Sequence, residues 1–273
     1  MTYGQICALF RQVGIENAEW DAELLLEHFC GVDRLVLLSD TERDYGSPPL
    51  LDAVRRRAEH YPLQYLLGEW QFYRQTYEVS PDCLIPRSDT EILVEEAIKR
   101  LPPNAVFADL CTGSGCIAVS ILAERPDTRA VAVEKFPRTL DLAVRNAAQN
   151  GVSERFTPIC ADVLEPNFLP AGVCFDAILS NPPYIRRDVL NTLEPELSAE
   201  PKAALDGGDD GLIFYRGILQ NAASSLAPNG SFLFEIGFDQ AEDLKEIANA
   251  ADFSAFRVLR DYGGNDRVVI LSR

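Results

Sequence analysis

The sequence predicts an α/β protein in which helices cover both faces of a mostly parallel sheet and a small helical bundle precedes it. From about residue 104, short apolar runs alternate with helical segments, which is the order of a parallel sheet. Residues 1–67 show apolar residues at helical spacing and no strand pattern. We therefore expect a helical domain over 1–67, a β-hairpin linker over 68–85 and a larger domain over 86–273.

The amino-terminal elements follow from helix signals and one change of pattern. "EWDAELLLEHFCGV" predicts a helix that stops at Gly31, and "PPLLDAVRRRAEHYPLQYLLG" predicts another that Pro62 breaks near its end. Its "RRR", residues 55–57, is interpreted as a solvated face. In "GEWQFYRQTYEVSPDCLI", aromatic and β-branched residues alternate with polar ones, which indicates a hairpin. The next helix begins with a capping-box signal, Ser88 followed three residues later by Glu91.

The larger domain is predicted to contain a seven-stranded sheet. Its strands are "AVFADL", "RAVAVE", "RFTPICAD", "CFDAILSN", "GSFLFEIG" and two segments near 254–260 and 266–272. The last two, joined by "DYGGND", predict an antiparallel hairpin at one edge. The helices are "GCIAVSILAER", "PRTLDLAVRNAAQNG", "GLIFYRGILQNAASSLA" and "DQAEDLKEIANAA".

The composition disfavours several classes of function. The formal charge of -17 opposes non-specific binding to nucleic acid, because such binding depends on Lys and Arg neutralising phosphates. Seven cysteines without a CxxC pair indicate reduced thiols, and two isolated histidines do not favour a metal site. With no signal-peptide pattern and no membrane span, the sequence predicts a soluble cytoplasmic protein.

A glycine-containing turn joins the first predicted strand of the sheet to the helix after it. In "DLCTGSGC", residues 109–116, Gly113 and Gly115 allow a ligand to approach the backbone at a helix N-terminus. The motif is not the full GxGxxG fingerprint, and the alternative is a tight strand–helix turn, which would also need both glycines. Glu134 ends the next strand about 20 residues further on, where an acidic residue accepts ribose hydroxyls in dinucleotide-binding folds. Together they favour a nucleoside ligand.

Polar residues also end the next two strands. Asp162, in "CADVL", is expected to accept a hydrogen bond from an adenine amino group, with Val163 against the ring. Asp109, Glu134, Asp162 and Asn181 thus end four successive strands. Ligands of open α/β sheets bind at these carboxyl ends, so the four residues predict one site.

The motif "NPPY", residues 181–184, ends a buried strand with residues that cannot continue it. The nitrogen of a planar –NH2 group is a poor nucleophile because its lone pair is delocalised. The side-chain carbonyl of Asn181 and the backbone carbonyl of Pro182 are predicted to hold its two hydrogens and aim the lone pair, with Tyr184 stacked on the group. This is catalysis by positioning, and it fits methyl transfer; the alternative is a turn that only ends a strand.

Taken together, these motifs resemble those of a known family. "NPPY" with "DLCTGSG" is similar to class I S-adenosyl-L-methionine-dependent methyltransferases of planar amino groups, which have a Rossmann-like domain. "QYLLGEWQFY", "IPRSDTE", "EPKAALDGGDDGLIFYRGIL" and "DYGGNDRVV" resemble the HemK/PrmC family, which methylates N5 of a glutamine in peptide chain release factors. The similarity spans nearly the whole chain.

The resemblance implies the residues of the site. The cofactor is expected to contact Cys111, Thr112, Gly113, Ser114, Gly115, Glu134, Asp162, Val163 and Asn181. The substrate glutamine is expected to contact Asn181, Pro182, Pro183 and Tyr184. The chain departs from the family at Ser88, where proline is frequent, at Cys111, where glycine is common, and at Glu134, which replaces aspartate. Arg87 and Thr90 match the family motif, but the residues themselves indicate no chemical role.

The leading hypothesis is therefore methylation of the glutamine in the Gly-Gly-Gln loop of a release factor, with S-adenosyl-L-homocysteine as the product. The helical domain would hold the release factor, and the enzyme is expected to act as a monomer without membrane or direct nucleic-acid contact. The alternatives are a ribosomal-protein glutamine methyltransferase, a nucleic-acid N6-adenine methyltransferase and a non-catalytic binder of the cofactor.

Overall fold

The structure is a computed structural model that describes residues 1–40 and 42–273. The chain divides into two compact units, Met1–Glu69 with Leu193–Ala199, and Trp70–Thr192 with Glu200–Arg273. The domain boundaries at 67 and 85 stay predictions. No helix within the described residues is long and apolar enough to span a membrane.

The first unit is helical, as the sequence predicted. Its helices are α1 (Tyr3–Gln12), α2 (Ala18–Cys30), α3 (Arg34–Ser39), α4 (Pro48–Ala58) and α5 (Leu63–Leu67). Gly31 ends α2 in the left-handed conformation that glycine favours, and Pro62 separates α4 from α5. Apolar residues from these helices, among them Phe10 and Leu25, form one buried core.

The interpretation of residues 55–57 as a solvated face is wrong for Arg57. Its side chain is buried and its Nε donates to Asp21 Oδ2 at 2.7 Å, while Nη1 pairs with Glu196 at 2.7 Å. A buried charge requires such partners, so Arg57 is part of the interior and Arg55 remains exposed.

The second unit contains a hairpin, a sheet and the helices that cover the sheet. The hairpin strands are β1 (Glu69–Phe72) and β2 (Gln75–Glu78). The strands of the sheet are β3 (Val106–Leu110), β4 (Arg129–Glu134), β5 (Phe156–Cys160), β6 (Phe175–Ser180), β7 (Leu226–Glu235), β8 (Ala255–Arg260) and β9 (Asp266–Ser272). The helices are α6 (Glu91–Arg100), α7 (Cys116–Glu124), α8 (Pro137–Gln149), α9 (Ile213–Ala222) and α10 (Ala241–Ala250).

Among the described residues, the sheet has seven strands in the order β5-β4-β3-β6-β7-β9-β8. The pairs from β5 to β7 are parallel, and β9 is antiparallel to both β7 and β8. The predicted edge hairpin is therefore confirmed, with β9 lying inside the edge. The carboxyl ends of β4, β3, β6 and β7 lie side by side, because Leu110 pairs with Val133 and with Ser180, and Ser180 pairs with Phe234.

Helices bury both faces of the sheet. One apolar cluster joins the sheet to α6, α7 and α8 through residues such as Leu93 and Ile117. The other joins the opposite face to α9 and α10 through Tyr215 and Leu244. The strands are apolar along most of their length because a parallel sheet is covered on both sides.

The predicted capping box at Ser88 is absent, which corrects the sequence reading of this helix start. Ser88–Thr90 form a 3-10 turn, and α6 begins at Glu91 without a side-chain cap. The carboxylate of Glu91 instead accepts a hydrogen bond from the backbone N–H of Tyr73 at 2.8 Å. The hairpin turn therefore uses the acceptor that the capping box would have needed.

Two buried side chains fasten the hairpin to the glycine loop. The hydroxyl of Tyr77 lies 2.6 Å from Ser120 Oγ and donates to the carbonyl of Cys116 at 3.2 Å. Asn146, on α8, donates to the carbonyls of Glu78 and Ser114 at 3.0 and 2.9 Å and accepts from the N–H of Glu78 at 2.7 Å. These bonds hold the loop after β3 in place.

Candidate active site

The loop between β3 and α7 has three residues in the left-handed region. Cys111, Gly113 and Gly115 have φ of 58°, 57° and 80°, which favours glycine because a Cβ clashes there. A Cβ at Gly115 would lie 3.2 Å from the Cβ of Ala143, so α7 and α8 approach closely at this residue. The conformation of Cys111 gives a physical reason for the glycine that is common there in the resembling family.

Asp109 lies under this loop. One carboxylate oxygen accepts from the Thr112 hydroxyl at 2.5 Å and from the N–H of Ala118 at 3.2 Å, and the other has no hydrogen-bond partner within the described residues. Burial raises the pKa of Asp109 to about 7 against these hydrogen bonds. Asp109 thus holds the loop, and its direct contact with a cofactor stays a prediction.

Glu134 is almost fully buried at the end of β4, beside the glycine loop. Its two carboxylate oxygens accept from the backbone N–H groups of Gly113 and Phe136, each at 3.1 Å. Burial raises the pKa of Glu134, while the backbone hydrogen bonds lower it. A carboxylate has about four lone-pair sites, so further acceptor sites remain for a ligand's hydroxyl groups.

Asp162 lies two residues beyond the end of β5 and is half-buried. Its Oδ1 accepts from the N–H of Leu164 at 2.9 Å, and its Oδ2 pairs with Lys135 Nζ at 2.8 Å. Burial raises the pKa of Asp162, but the hydrogen bonds from Lys135 and from the N–H of Leu164, together with the charge of Lys135, outweigh burial and lower it overall. A ligand that uses Oδ2 competes with Lys135.

A cavity of about 330 Å³ opens at the carboxyl ends of these strands. The structure brings together at its wall most of the residues that the sequence predicted. These are Cys111, Thr112, Gly113, Ser114, Glu134, Asp162, Val163, Asn181 and Pro183. Within the described part of the chain, Asp109, Gly115, Pro182 and Tyr184 lie outside this lining.

The Asn-Pro-Pro-Tyr segment directly follows β6. The Ser180 hydroxyl donates to the carbonyl of Leu110 at 2.7 Å, which joins the strand end to β3. Asn181 Nδ2 donates to Thr90 Oγ1 at 3.2 Å, and the hydroxyl of Tyr184 donates to Glu235 at 3.4 Å. The carbonyl of Tyr184 accepts from Gln240 Nε2 at 3.0 Å. The segment is therefore fixed from three sides.

Several residues at the site were not assigned a chemical role from the sequence. Thr90 and Arg87 line the cavity, and Arg87 also pairs with the buried Glu200. Phe136, two residues after Glu134, lines the cavity as well, and its aromatic ring beyond a strand end was the available clue. Glu235 ends β7 and so belongs to the same row of strand-end acids, but the sequence predicts it only as part of a strand.

The fold and the site define a Rossmann-like methyltransferase of class I, whose cavity lies at the carboxyl ends of a sheet with one reversed strand. The solved ribosomal protein L11 methylase from Lactobacillus delbrueckii subsp. bulgaricus has a TM-score of 0.50 at 19% identity, covering 71% of this chain and 83% of that chain. At this identity the likeness concerns the fold alone.

Sequence comparison identifies the family. The profile of the PrmC N-terminal domain matches residues 3–68, and that of the methyltransferase small domain matches residues 88–212. The release factor glutamine methyltransferase of Geobacter sulfurreducens is 41% identical over 94% of this chain and 90% of its own length. That of Moorella thermoacetica is 40% identical over 95% and 93%. The chain belongs to the family of release factor glutamine methyltransferases.

Proposed function

We propose that this protein transfers a methyl group from S-adenosyl-L-methionine to N5 of the glutamine in the Gly-Gly-Gln loop of peptide chain release factors. The observation that carries the proposal is the position of Asn181. It lies directly after β6, lines the same cavity as Glu134 and Asp162, and is held by Thr90. Membership of the family supports the choice of substrate.

The residues at the wall of the cavity fit the cofactor. Gly113 lines the cavity and has a positive φ, so it presents its backbone to a ligand there without a side chain. Glu134 would accept the ribose hydroxyls, and Asp162 would accept an adenine amino group, with Val163 and Phe136 beside the ring. When bound, S-adenosyl-L-methionine supplies an activated methyl group on a sulfonium ion.

The substrate amide would be held by acceptors that belong to the Asn-Pro-Pro-Tyr segment. Asn181 Nδ2 donates one hydrogen to Thr90 Oγ1, which leaves Oδ1 for a hydrogen of the substrate –NH2. No backbone hydrogen bond of the described residues ends on the Pro182 carbonyl, so this oxygen accepts the second hydrogen. Holding both hydrogens orients the nitrogen lone pair and supplies the geometry that the reaction needs. The amide then loses one proton to water, and no general base is required.

The same proposal covers how the release factor binds and where the enzyme acts. Glycines beside the target glutamine allow it to enter a narrow cavity. The helical unit would contact the release factor, and a cytoplasmic location would follow from a substrate that acts in translation. The net charge of -17 would favour basic regions of the partner through electrostatic steering.

The test is methyl transfer from labelled S-adenosyl-L-methionine in parallel reactions. They contain a purified release factor, the same factor with its loop glutamine changed to alanine, a ribosomal protein fraction, and adenine-containing nucleic acid. We expect label on the intact release factor alone. Label on the release factor whose loop glutamine is changed to alanine, on the ribosomal proteins or on the nucleic acid would contradict the proposal.

Asn181→Ala tests the amide clamp in the same assay. We expect methyl transfer to fall at least about 100-fold, the size of effect that loss of a positioned polar group produces at an active site. The fold should be retained, because Asn181 follows the strand and pairs only with Thr90 among the described residues. Substantial activity in this variant would rule out the clamp, even if the release factor is the substrate.

A further inference from the structure

A line of polar contacts runs from the end of β7 to Asn181. Ser180 pairs with Phe234. The next residue of each chain segment is Asn181, directly after β6, and Glu235, the last residue of β7. Thr90 accepts from Asn181 Nδ2 at 3.2 Å, and its hydroxyl is close enough to the carboxyl of Glu235 to favour the charged form of that group. Both Thr90 and Glu235 are 2% exposed, so water does not compete for these contacts.

The orientation of the Asn181 amide decides whether the clamp works. The amide has an oxygen that accepts and an –NH2 that donates. A substrate –NH2 group needs the oxygen, and a flipped amide would place two donors against each other. The structure therefore needs a feature that prevents the flip.

Thr90 and Glu235 together supply that feature. A threonine hydroxyl has one hydrogen to donate, and an ionised carboxylate can only accept. If the Thr90 hydrogen points to Glu235, the Thr90 oxygen can only accept from Asn181. The –NH2 of Asn181 must then face Thr90, and its Oδ1 must face the cavity.

Glu235 has no other complete structural role that explains a buried acid. Its Oε1 accepts from the Tyr184 hydroxyl at 3.4 Å, and its Oε2 has no hydrogen-bond partner within the described residues, which leaves Oε2 as the acceptor for the hydrogen of the Thr90 hydroxyl. The nearby Arg267 pairs with Asp89 at 3.4 Å and with Asp261 at 3.0 Å. The positive charge of Arg267 helps Glu235 to ionise, although burial opposes this.

We propose that Thr90 and Glu235 are positioning residues that fix the orientation of the Asn181 amide, so that its oxygen faces the substrate nitrogen. This inference rests on the amide clamp of the proposed function. It assigns a role to Thr90, which lines the cavity and accepts from Asn181, and to a buried carboxyl group that accepts from Tyr184 at the other end of the Asn-Pro-Pro-Tyr segment.

The test compares Thr90→Val, Thr90→Ser and Glu235→Gln at pH 8, where Glu235 is ionised. Valine keeps the shape of threonine without the hydroxyl, and serine keeps the hydroxyl. We expect kcat to fall about 10-fold to 100-fold in Thr90→Val and to stay within about threefold of the wild type in Thr90→Ser. Glu235→Gln should lie between them, since an amide both accepts and donates. The affinity for S-adenosyl-L-homocysteine should change little in each.

Thr128→Val is the matched control. Thr128 is also buried, and its hydroxyl donates to the carbonyl of Arg125 at 2.8 Å, but it precedes β4 at the opposite end of the sheet. The Thr128→Val variant should be less stable than the wild type but should keep the wild-type kcat. The double variant Thr90→Val/Glu235→Gln should be no slower than Thr90→Val, because the two residues act on one amide.

A second measurement separates this inference from the proposed function. The side-chain amide of Asn181, observed by ¹⁵N NMR and assigned through Asn181→Ala, should exchange its hydrogens slowly in the wild type and Thr90→Ser and quickly in Thr90→Val. If the wild type methylates a release factor while Thr90→Val retains full kcat and slow exchange, the inference is wrong and the proposed function stands. If the wild type methylates no release factor, the proposed function fails, and the exchange rates still decide whether Thr90 holds Asn181.

Discussion

A Cβ atom on Gly207 would lie 2.7 Å from the Cα of Tyr184. Gly211 meets the same residue, because a Cβ there would lie 2.5 Å from the Tyr184 carbonyl oxygen. The backbone N–H of Gly207 also donates to the carbonyl of Ile185 at 2.8 Å. The glycines of "DGGDDG" therefore let this loop lie directly against the Asn-Pro-Pro-Tyr segment.

Gly207→Ala should displace that segment. The atoms that the new Cβ would meet are backbone atoms of Tyr184 and Gly211, which cannot move aside as a flexible side chain can. A shift of about 1 Å at a positioned group costs about 100-fold in rate, so we expect methyl transfer to fall by about that factor. Overpacking should also lower stability by about 1–3 kcal/mol. Methyl transfer and thermal unfolding measure the two effects.

Gly4→Ala is the control for this change. Nothing lies within 4 Å of the Cβ position of Gly4, and the residue lies in α1, where alanine is favoured by about 1 kcal/mol over glycine. Gly4→Ala should be at least as stable as the wild type and fully active. Full activity in Gly207→Ala would show that the segment tolerates a backbone shift.

The elements of the sheet were predictable because each has its own local pattern. The apolar runs and their order gave β3 to β9 to within a few residues. The position of β9 between β7 and β8 depends on long-range pairing, such as Glu235 with Val268, and no local signal specifies it. The failed capping box at Ser88 has the same cause, since Glu91 is used by a residue of the hairpin.

Residues of the site were predictable where a polar side chain comes at the end of an apolar strand. Glu134, Asp162 and Asn181 each follow an apolar run and carry a polar group. Thr90 and Gln240 do not, because they act on the site from neighbouring elements. The hydrogen bond between Gln240 and Tyr184 joins residues that are 56 positions apart in the sequence, and only the folded chain brings the two together.

Glu235 should make stability depend on pH. Burial raises its pKa from 4.5 to about 7, so the native state binds this proton more tightly than the unfolded state does. The contribution of the group to stability is complete below about pH 4.5 and is lost as the pH rises through about 7. The loss is on the order of 3–4 kcal/mol, at about 1.4 kcal/mol per unit of pKa.

Urea unfolding at several pH values checks this expectation. The unfolding free energy of the wild type, minus that of Glu235→Gln, should decrease between pH 5 and 8. Asp109 has a raised pKa as well, but it is present in both proteins and cancels in the difference. The exposed Glu154 offers the control Glu154→Gln, which should leave the pH dependence unchanged. A flat difference for Glu235→Gln would mean that Glu235 is not proton-linked to folding.

Glu134→Gln should weaken cofactor binding. The wild-type carboxylate accepts from Gly113 and Phe136 and has sites left for two ribose hydroxyls. Glutamine replaces one acceptor oxygen with a donor that opposes a backbone N–H and no longer accepts from the ribose. Hydrogen bonds to charged groups contribute about 1.5–3 kcal/mol, so the Kd for S-adenosyl-L-homocysteine should rise about 10-fold to 100-fold.

Isothermal titration calorimetry measures this Kd without turnover. Glu124→Gln is the matched control, because Glu124 pairs with Arg74 at the far end of α7 from the glycine loop and should leave the affinity unchanged. Near-ultraviolet circular dichroism shows whether each variant keeps its tertiary structure. If Glu134→Gln is folded and binds as tightly as the wild type, Glu134 shapes the loop through Gly113 and does not contact the ribose.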